Sequence, residues 1–194
     1  MDEKQFRKTL ETILDDLKCK LENSKSIDVF VQHRAKFEGW LKVEIVNILC
    51  NMYPKKCSPE KVIPEWPVDD IGVNDNEKKN YRIIDIKFDD SVLELKTINT
   101  SYRQEGIENK TKPITLNVEE LENDIDKLRK LHKEDIKNKA ILFVVFPLSE
   151  NNIEKFEAKH LPKLRVEKQD IMYRQFNTIS DITNRIYCVI VREQ

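Results

Sequence analysis

Residues 82–97 read Arg-Ile-Ile-Asp-Ile-Lys-Phe-Asp-Asp-Ser-Val-Leu-Glu-Leu-Lys-Thr, and this stretch limits the possible folds more than any other. β-Branched and apolar residues flank the polar pair Asp89-Asp90, the pattern of two short strands joined by a tight turn. A two-residue turn sets Phe88 opposite Ser91, Lys87 opposite Val92, Ile86 opposite Leu93 and Asp85 opposite Glu94. Side chains alternate along a strand, so Ile84, Ile86, Phe88, Leu93 and Leu95 are expected on one face, a core face. Asp85, Lys87, Glu94 and Lys96 fall on the other. Two carboxylates directly across from each other repel, so this second face requires a cation, supplied by Lys96, Lys87 or a metal ion.

The rest of the chain supplies helices and further strands. Residues 3–21 place Phe6, Leu10, Ile13, Leu14, Leu17 and Leu21 on one helical stripe. A second helix is expected from about His33 to Met52, ending before Pro54. Its apolar centre is Phe37, Leu41, Ile48 and Met52, with Trp40 and Ile45 on the flanks. Glu44 falls at the edge of that stripe between Trp40 and Phe37, and Glu38 between Ile45 and Leu49. A carboxylate among apolar neighbours needs a partner. Residues 62–68, with Pro64 and Pro67, suit an edge strand. Residues 69–81 and 99–113 read as polar connections. A helix over 117–132 with Asn117 as N-cap carries Leu121, Ile125, Leu128 and Leu131 on its buried stripe. Residues 139–147 include an unbroken apolar run typical of a strand covered on both faces. A helix over 152–160 and a last buried strand over 185–192 complete the order. A hairpin followed by a helical crossover implies an α/β architecture, a central mixed β-sheet flanked by α-helices.

A chain of 194 residues suits a single domain with room for a core. The formal net charge of -1 supplies no global basic field to announce a nucleic-acid partner, although 34 Lys and Arg leave room for a local patch. Cys19, Cys50, Cys57 and Cys188 form no Cys-x-x-Cys pair, and His33, His132 and His160 are not spaced from them as zinc ligands. They read as reduced thiols of a cytoplasmic protein. The first residues are charged and amphipathic, unlike a signal peptide, and the longest apolar run (140–146) is too short to span a bilayer.

With acids on the second and third strands, this order resembles the PD-(D/E)xK nuclease superfamily, which includes restriction endonucleases, junction resolvases and recombination exonucleases. Asp85 in Arg-Ile-Ile-Asp-Ile looks like the family's first acid, and Glu94 and Lys96 in Leu-Glu-Leu-Lys-Thr look like its (D/E)xK element. Glu44 is similar to the helical Glu that many members add, with Glu38 a second choice. Ile84 stands where the written pattern has proline. The acid-x-Lys pattern also occurs at Asp2, Asp16, Glu77, Asp85, Glu108, Asp135 and Glu157, but only Glu94-x-Lys96 combines an alternating strand, an acid opposite, a preceding helix with an inward-leaning Glu and a following helix-strand unit. Asp90, a competing first acid, falls in the turn. The resemblance covers residues 33–147, a restriction endonuclease-like core, with the N-terminal helix (3–22) and the segment 148–194 as extensions.

The resemblance implies a metal-dependent DNA nuclease. Asp85, Glu94, the Leu95 carbonyl and Glu44 would hold Mg²⁺, or Mn²⁺ in its place, since hard cations take oxygen ligands. Lys96 would orient the attacking water or stabilise charge on the phosphate. Tyr102, Arg103, Lys110 and Lys112 are candidates for DNA contacts, with Lys36 and Lys42 as further options. The expected activity is that of a restriction, defence or mobile-element endonuclease, cutting duplex DNA as a homodimer. A non-cleaving module that keeps this fold to bind nucleic acid or protein is the alternative.

Overall fold

A computed structural model describes residues 1–53, 61–69, 81–109 and 113–193. Three helices open the chain: α1 (Glu3–Glu22), α2 (Lys25–Gln32) and α3 (Glu38–Met52). Strands β1 (Val62–Asp69), β2 (Tyr81–Phe88) and β3 (Ser91–Asn99) follow, then α4 (Ile114–Arg129), β4 (Asn138–Phe146) and α5 (Glu150–Lys159). After two short 3-10 turns, β5 (Ile171–Asn177) and β6 (Thr183–Ile190) close the order. The six strands form one mixed sheet in the order β1-β2-β3-β4-β6-β5. Among the described residues only β3 and β4 run parallel; α4 is the crossover between them.

Each face of the sheet has its own apolar layer. On one, Phe6, Leu10 and Leu17 of α1 and Leu41, Ile45 and Leu49 of α3 meet Ile86, Leu93, Leu95, Leu142 and Val144. On the other, Leu121, Ile125 and Leu128 of α4 and Phe156 of α5 cover Val92, Ile98, Ile141, Phe143 and Tyr187. Covering both faces explains the unbroken apolar run of β4, whose residues 139–146 are all buried. The architecture is the α/β arrangement expected from the sequence, and a restriction endonuclease-like core is consistent with it. Among the described residues no helix is long and apolar enough to cross a membrane.

Several local expectations change. The region read as a polar break followed by one helix from His33 contains the short α2, capped by the Ser24 hydroxyl accepting from Ile27 N–H, and α3 begins only at Glu38. Strand β5 was not expected, because it is an edge strand with buried Met172 and Phe176 separated by polar residues. The helix α4 starts at Ile114, so Asn117 is an interior residue rather than a cap; its amide donates to the Asn99 carbonyl and side chain. Cys50 takes part in a disulfide, which overturns the reading of four reduced thiols; Cys19 and Cys188 are free.

The central hairpin holds its expected register at Phe88↔Ser91, Lys87↔Val92 and Ile86↔Leu93. There the β2–β3 ladder stops. Ile84 belongs to the α4 layer, not to the face that holds Ile86 and Phe88. The change of face coincides with Glu65 of β1, the register neighbour of Asp85, whose φ of 55° is left-handed. A non-glycine residue in that region is uncommon, and β1 changes face at the same point, with Val62 in the α1–α3 layer and Val68 in the α4 layer.

Candidate active site at the opened edge of β3

Beyond Leu93, β3 faces a widening gap where β2 would otherwise pair with it, and buried backbone donors on that edge need other acceptors. Two carboxylates supply them. Asp85 Oδ2 accepts the Leu95 N–H at 2.9 Å, and Glu38 Oε1 accepts the Thr97 N–H at 2.9 Å. In return Glu94 Oε2 accepts the Asp85 N–H at 3.4 Å. Asp85 and Glu94 are therefore neighbours across the strands, as expected, but they are joined by crossed side-chain-to-backbone bonds. The N–H and C=O of one strand residue leave on the same side, so the Leu95 carbonyl faces the same gap.

Two helices supply charge to this gap from opposite layers. From α3, Lys42 Nζ lies 2.7 Å from Asp85 Oδ1 and also pairs with Glu65. Burial alone would lower the Lys42 pKa, but hydrogen bonds and charge from Asp85 and Glu65 reverse this and hold it above the ordinary lysine value. From α4, Asp124 Oδ2 receives Lys96 Nζ at 2.9 Å while its Oδ1 receives Lys127 at 2.8 Å. The Lys96 ammonium also loses hydration, yet Asp124, with added charge from Glu38 and Glu120, keeps its pKa raised. Asp124 is pushed up by burial and pulled below the usual carboxylate range by its two lysines, the second effect winning. Lys36 stands 3.8 Å from both Glu38 and Glu120, spanning α3 and α4.

Glu44 lies elsewhere. Its Oε2 sits 2.7 Å from Lys20 Nζ of α1, in an ion pair without hydrogen-bond geometry. The physical reason is angular. At about 100° per residue, Glu44 and Lys42 are separated by roughly 200° around α3. One flank of the Leu41–Ile45–Ile48 stripe therefore meets α1 and the other meets β2 and β3. Glu38 shares the flank of Lys42, so of the two helical acids it is Glu38 that reaches the third strand.

Tyr102 is half-buried against the α4 layer, and its carbonyl accepts from Arg34, while Arg103 is exposed. Lys110 and Lys112 lie outside the described residues. Lys42, weighed from sequence only as a DNA contact, and Asp124, not singled out at all, are the residues that touch Asp85 and Lys96. Asp124 left a trace in the sequence: it sits between Leu121 and Ile125 on the stripe of a helix that must cross β3.

Among the described residues no group of three His, Cys, Asp or Glu side chains is placed to hold a metal ion. Magnesium commonly uses only one or two carboxylates and keeps several waters. The adjacent Asp85 and Glu94, with the Leu95 carbonyl beside them, fit that requirement, and Asp85 already accepts a cation in the form of Lys42. No protein-family model, curated protein or solved structure matches the chain.

Proposed function

We propose that this chain is a metal-dependent nuclease of the PD-(D/E)xK kind, hydrolysing phosphodiester bonds in DNA as a restriction, defence or mobile-element endonuclease. The opened edge of β3 carries the reading: Asp85, Glu94 and the Leu95 carbonyl are gathered at one break in the sheet, with Lys96 on the following position of the same strand. Asp85 and Glu94 would hold Mg²⁺ or Mn²⁺. When bound, the ion polarises a phosphoryl oxygen and makes a water nucleophilic near neutral pH. Lys96 is held as an ammonium, so it donates a hydrogen bond to the attacking water or to a non-bridging phosphate oxygen. Glu38 closes the β3 edge and fixes the strand on which Glu94 and Lys96 stand.

A second reading rests on the pairing of these same groups. Asp85 already has Lys42 and Lys96 already has Asp124. A module that binds nucleic acid or protein without cutting would retain such pairs as structural ties. Nicking of supercoiled plasmid in Mg²⁺ or Mn²⁺, with a chelator control and Mn²⁺ calorimetry, separates the two. Metal-dependent nicking supports the nuclease; absence of both nicking and Mn²⁺ binding selects the module. Four-way junctions beside linear duplexes then distinguish a resolvase from an endonuclease.

Lys42 must yield Asp85 for the ion to bind there. Lys42→Met is expected to tighten Mn²⁺ binding about tenfold, or ~1.4 kcal/mol, because the ion no longer competes with an ammonium. Calorimetry measures this directly, and weaker binding by the variant would show that Lys42 does not compete.

A further inference from the structure

Asp124 is an acid on the buried face of α4, 6% exposed, and the sequence around it offers no reason for a charge there. Its neighbours on the stripe, Leu121, Ile125 and Leu128, are all in the apolar layer. A carboxylate in such a place is costly unless it is paired and hydrogen-bonded. Asp124 is paired twice, by Lys96 from β3 and by Lys127 one turn along its own helix. The two oxygens are divided between them: Oδ2 receives Lys96 and Oδ1 receives Lys127.

The consequence falls on Lys96. A lysine side chain has four rotatable bonds and otherwise samples many positions. Anchoring its ammonium at 2.9 Å to a buried, doubly held carboxylate selects one of them. One of the three ammonium protons is committed to Asp124, and two remain for a water or a phosphate oxygen. The anchor itself stands on α4, the crossover helix packed against β3, so the carboxylate is carried by a rigid element.

We propose that Asp124 is the positioning residue for Lys96, fixing its ammonium where the scissile phosphate is to lie. This rests on the nuclease reading of the site. Asp124 touches neither metal nor substrate, and it acts only through Lys96. Its removal should lower turnover while leaving substrate and metal binding as they were.

The test is a double-mutant cycle on plasmid or oligonucleotide cleavage, with Asp124→Asn, Lys96→Ala and the combined variant, each checked by thermal melting. Asp124→Asn keeps the shape of the side chain, and thermal melting checks that the fold is kept. Its kcat is expected to fall about 10- to 100-fold, with KM and the Mn²⁺ Kd unchanged. In the Lys96→Ala background the same substitution should cost no further activity, because there is no ammonium left to place. Equal losses in both backgrounds, or a wild-type kcat for Asp124→Asn, overturn the proposal while the nuclease reading stands. A wild type that neither cuts DNA in either metal nor binds Mn²⁺ overturns both.

Discussion

Asp85→Ala is expected to reduce metal-dependent nicking by about 10³-fold or more, equivalent to ~4 kcal/mol of lost transition-state stabilisation. Asp85 occupies the break between β2 and β3, where its carboxylate accepts the Leu95 N–H and meets Lys42. Removing it takes away one of two carboxylates for the ion and leaves Glu94 alone. The structural cost is about 1–3 kcal/mol, because the buried Leu95 N–H loses its acceptor, while Lys42 keeps Glu65 as a partner. Asp85→Asn gives the sharper comparison: the amide oxygen still accepts the Leu95 N–H, but the charge that holds a cation is gone. Asp85→Asn should melt close to the wild type and Asp85→Ala a few degrees lower, and both should fail to nick plasmid. Retained nicking by Asp85→Asn would remove Asp85 from the metal centre.

The largest effect on stability is expected at Arg34. This residue is 1% exposed, and backbone carbonyls hold its guanidinium: Nε donates to the Glu108 carbonyl and the two terminal nitrogens to the Thr100 and Tyr102 carbonyls. One side chain thus ties the turn after α2 to the start of the loop beyond β3. Arg34→Ala leaves three carbonyls without these donors. At roughly 1–3 kcal/mol for each unsatisfied buried group, partly offset by entering water, a loss of about 3–5 kcal/mol follows. For a chain of this size that lowers Tm by roughly 10 °C. Arg34→Lys should recover little of it, because a point charge cannot reach three divergent carbonyls as a planar fork does. Denaturant or thermal unfolding checks this, and an Arg34→Ala Tm within about 2 °C of the wild type would show that water replaces the guanidinium without penalty.

The parts of the fold legible in the sequence are those where one periodicity dominates. Phe88, Lys87 and Ile86 take their expected partners because the strand period is two and the Asp89-Asp90 turn permits one register. The same rule fails at Ile84, where the change of face coincides with the left-handed backbone of Glu65 on the neighbouring strand, which nothing in residues 82–97 announces. Helix α3 shows the limit of a helical wheel. Periodicity correctly placed both Glu38 and Glu44 beside the apolar stripe, but it could not say which flank faces α1 and which faces the sheet. Which of Glu38 and Glu44 meets the sheet depends on neighbours fixed only once the layers are assembled. The adjacency of Asp85 and Glu94 was legible because the hairpin register sets them opposite each other. Lys42 and Asp124 were not, because each acquires its role from a partner more than 25 residues away in the chain.

The prolines of β1 bear on how copies of this chain can associate. A strand at the end of a sheet invites another strand, and proline on that edge discourages it. β1 and β5 are the two ends of the sheet; β1 carries Pro64 and Pro67, and β5 has no proline. Joining two copies through their β5 strands would form a two-fold pair whose outer edges are both proline-bearing. In such a pair further chains would find no inviting edge, and growth would stop at the dimer rather than run on into a fibre.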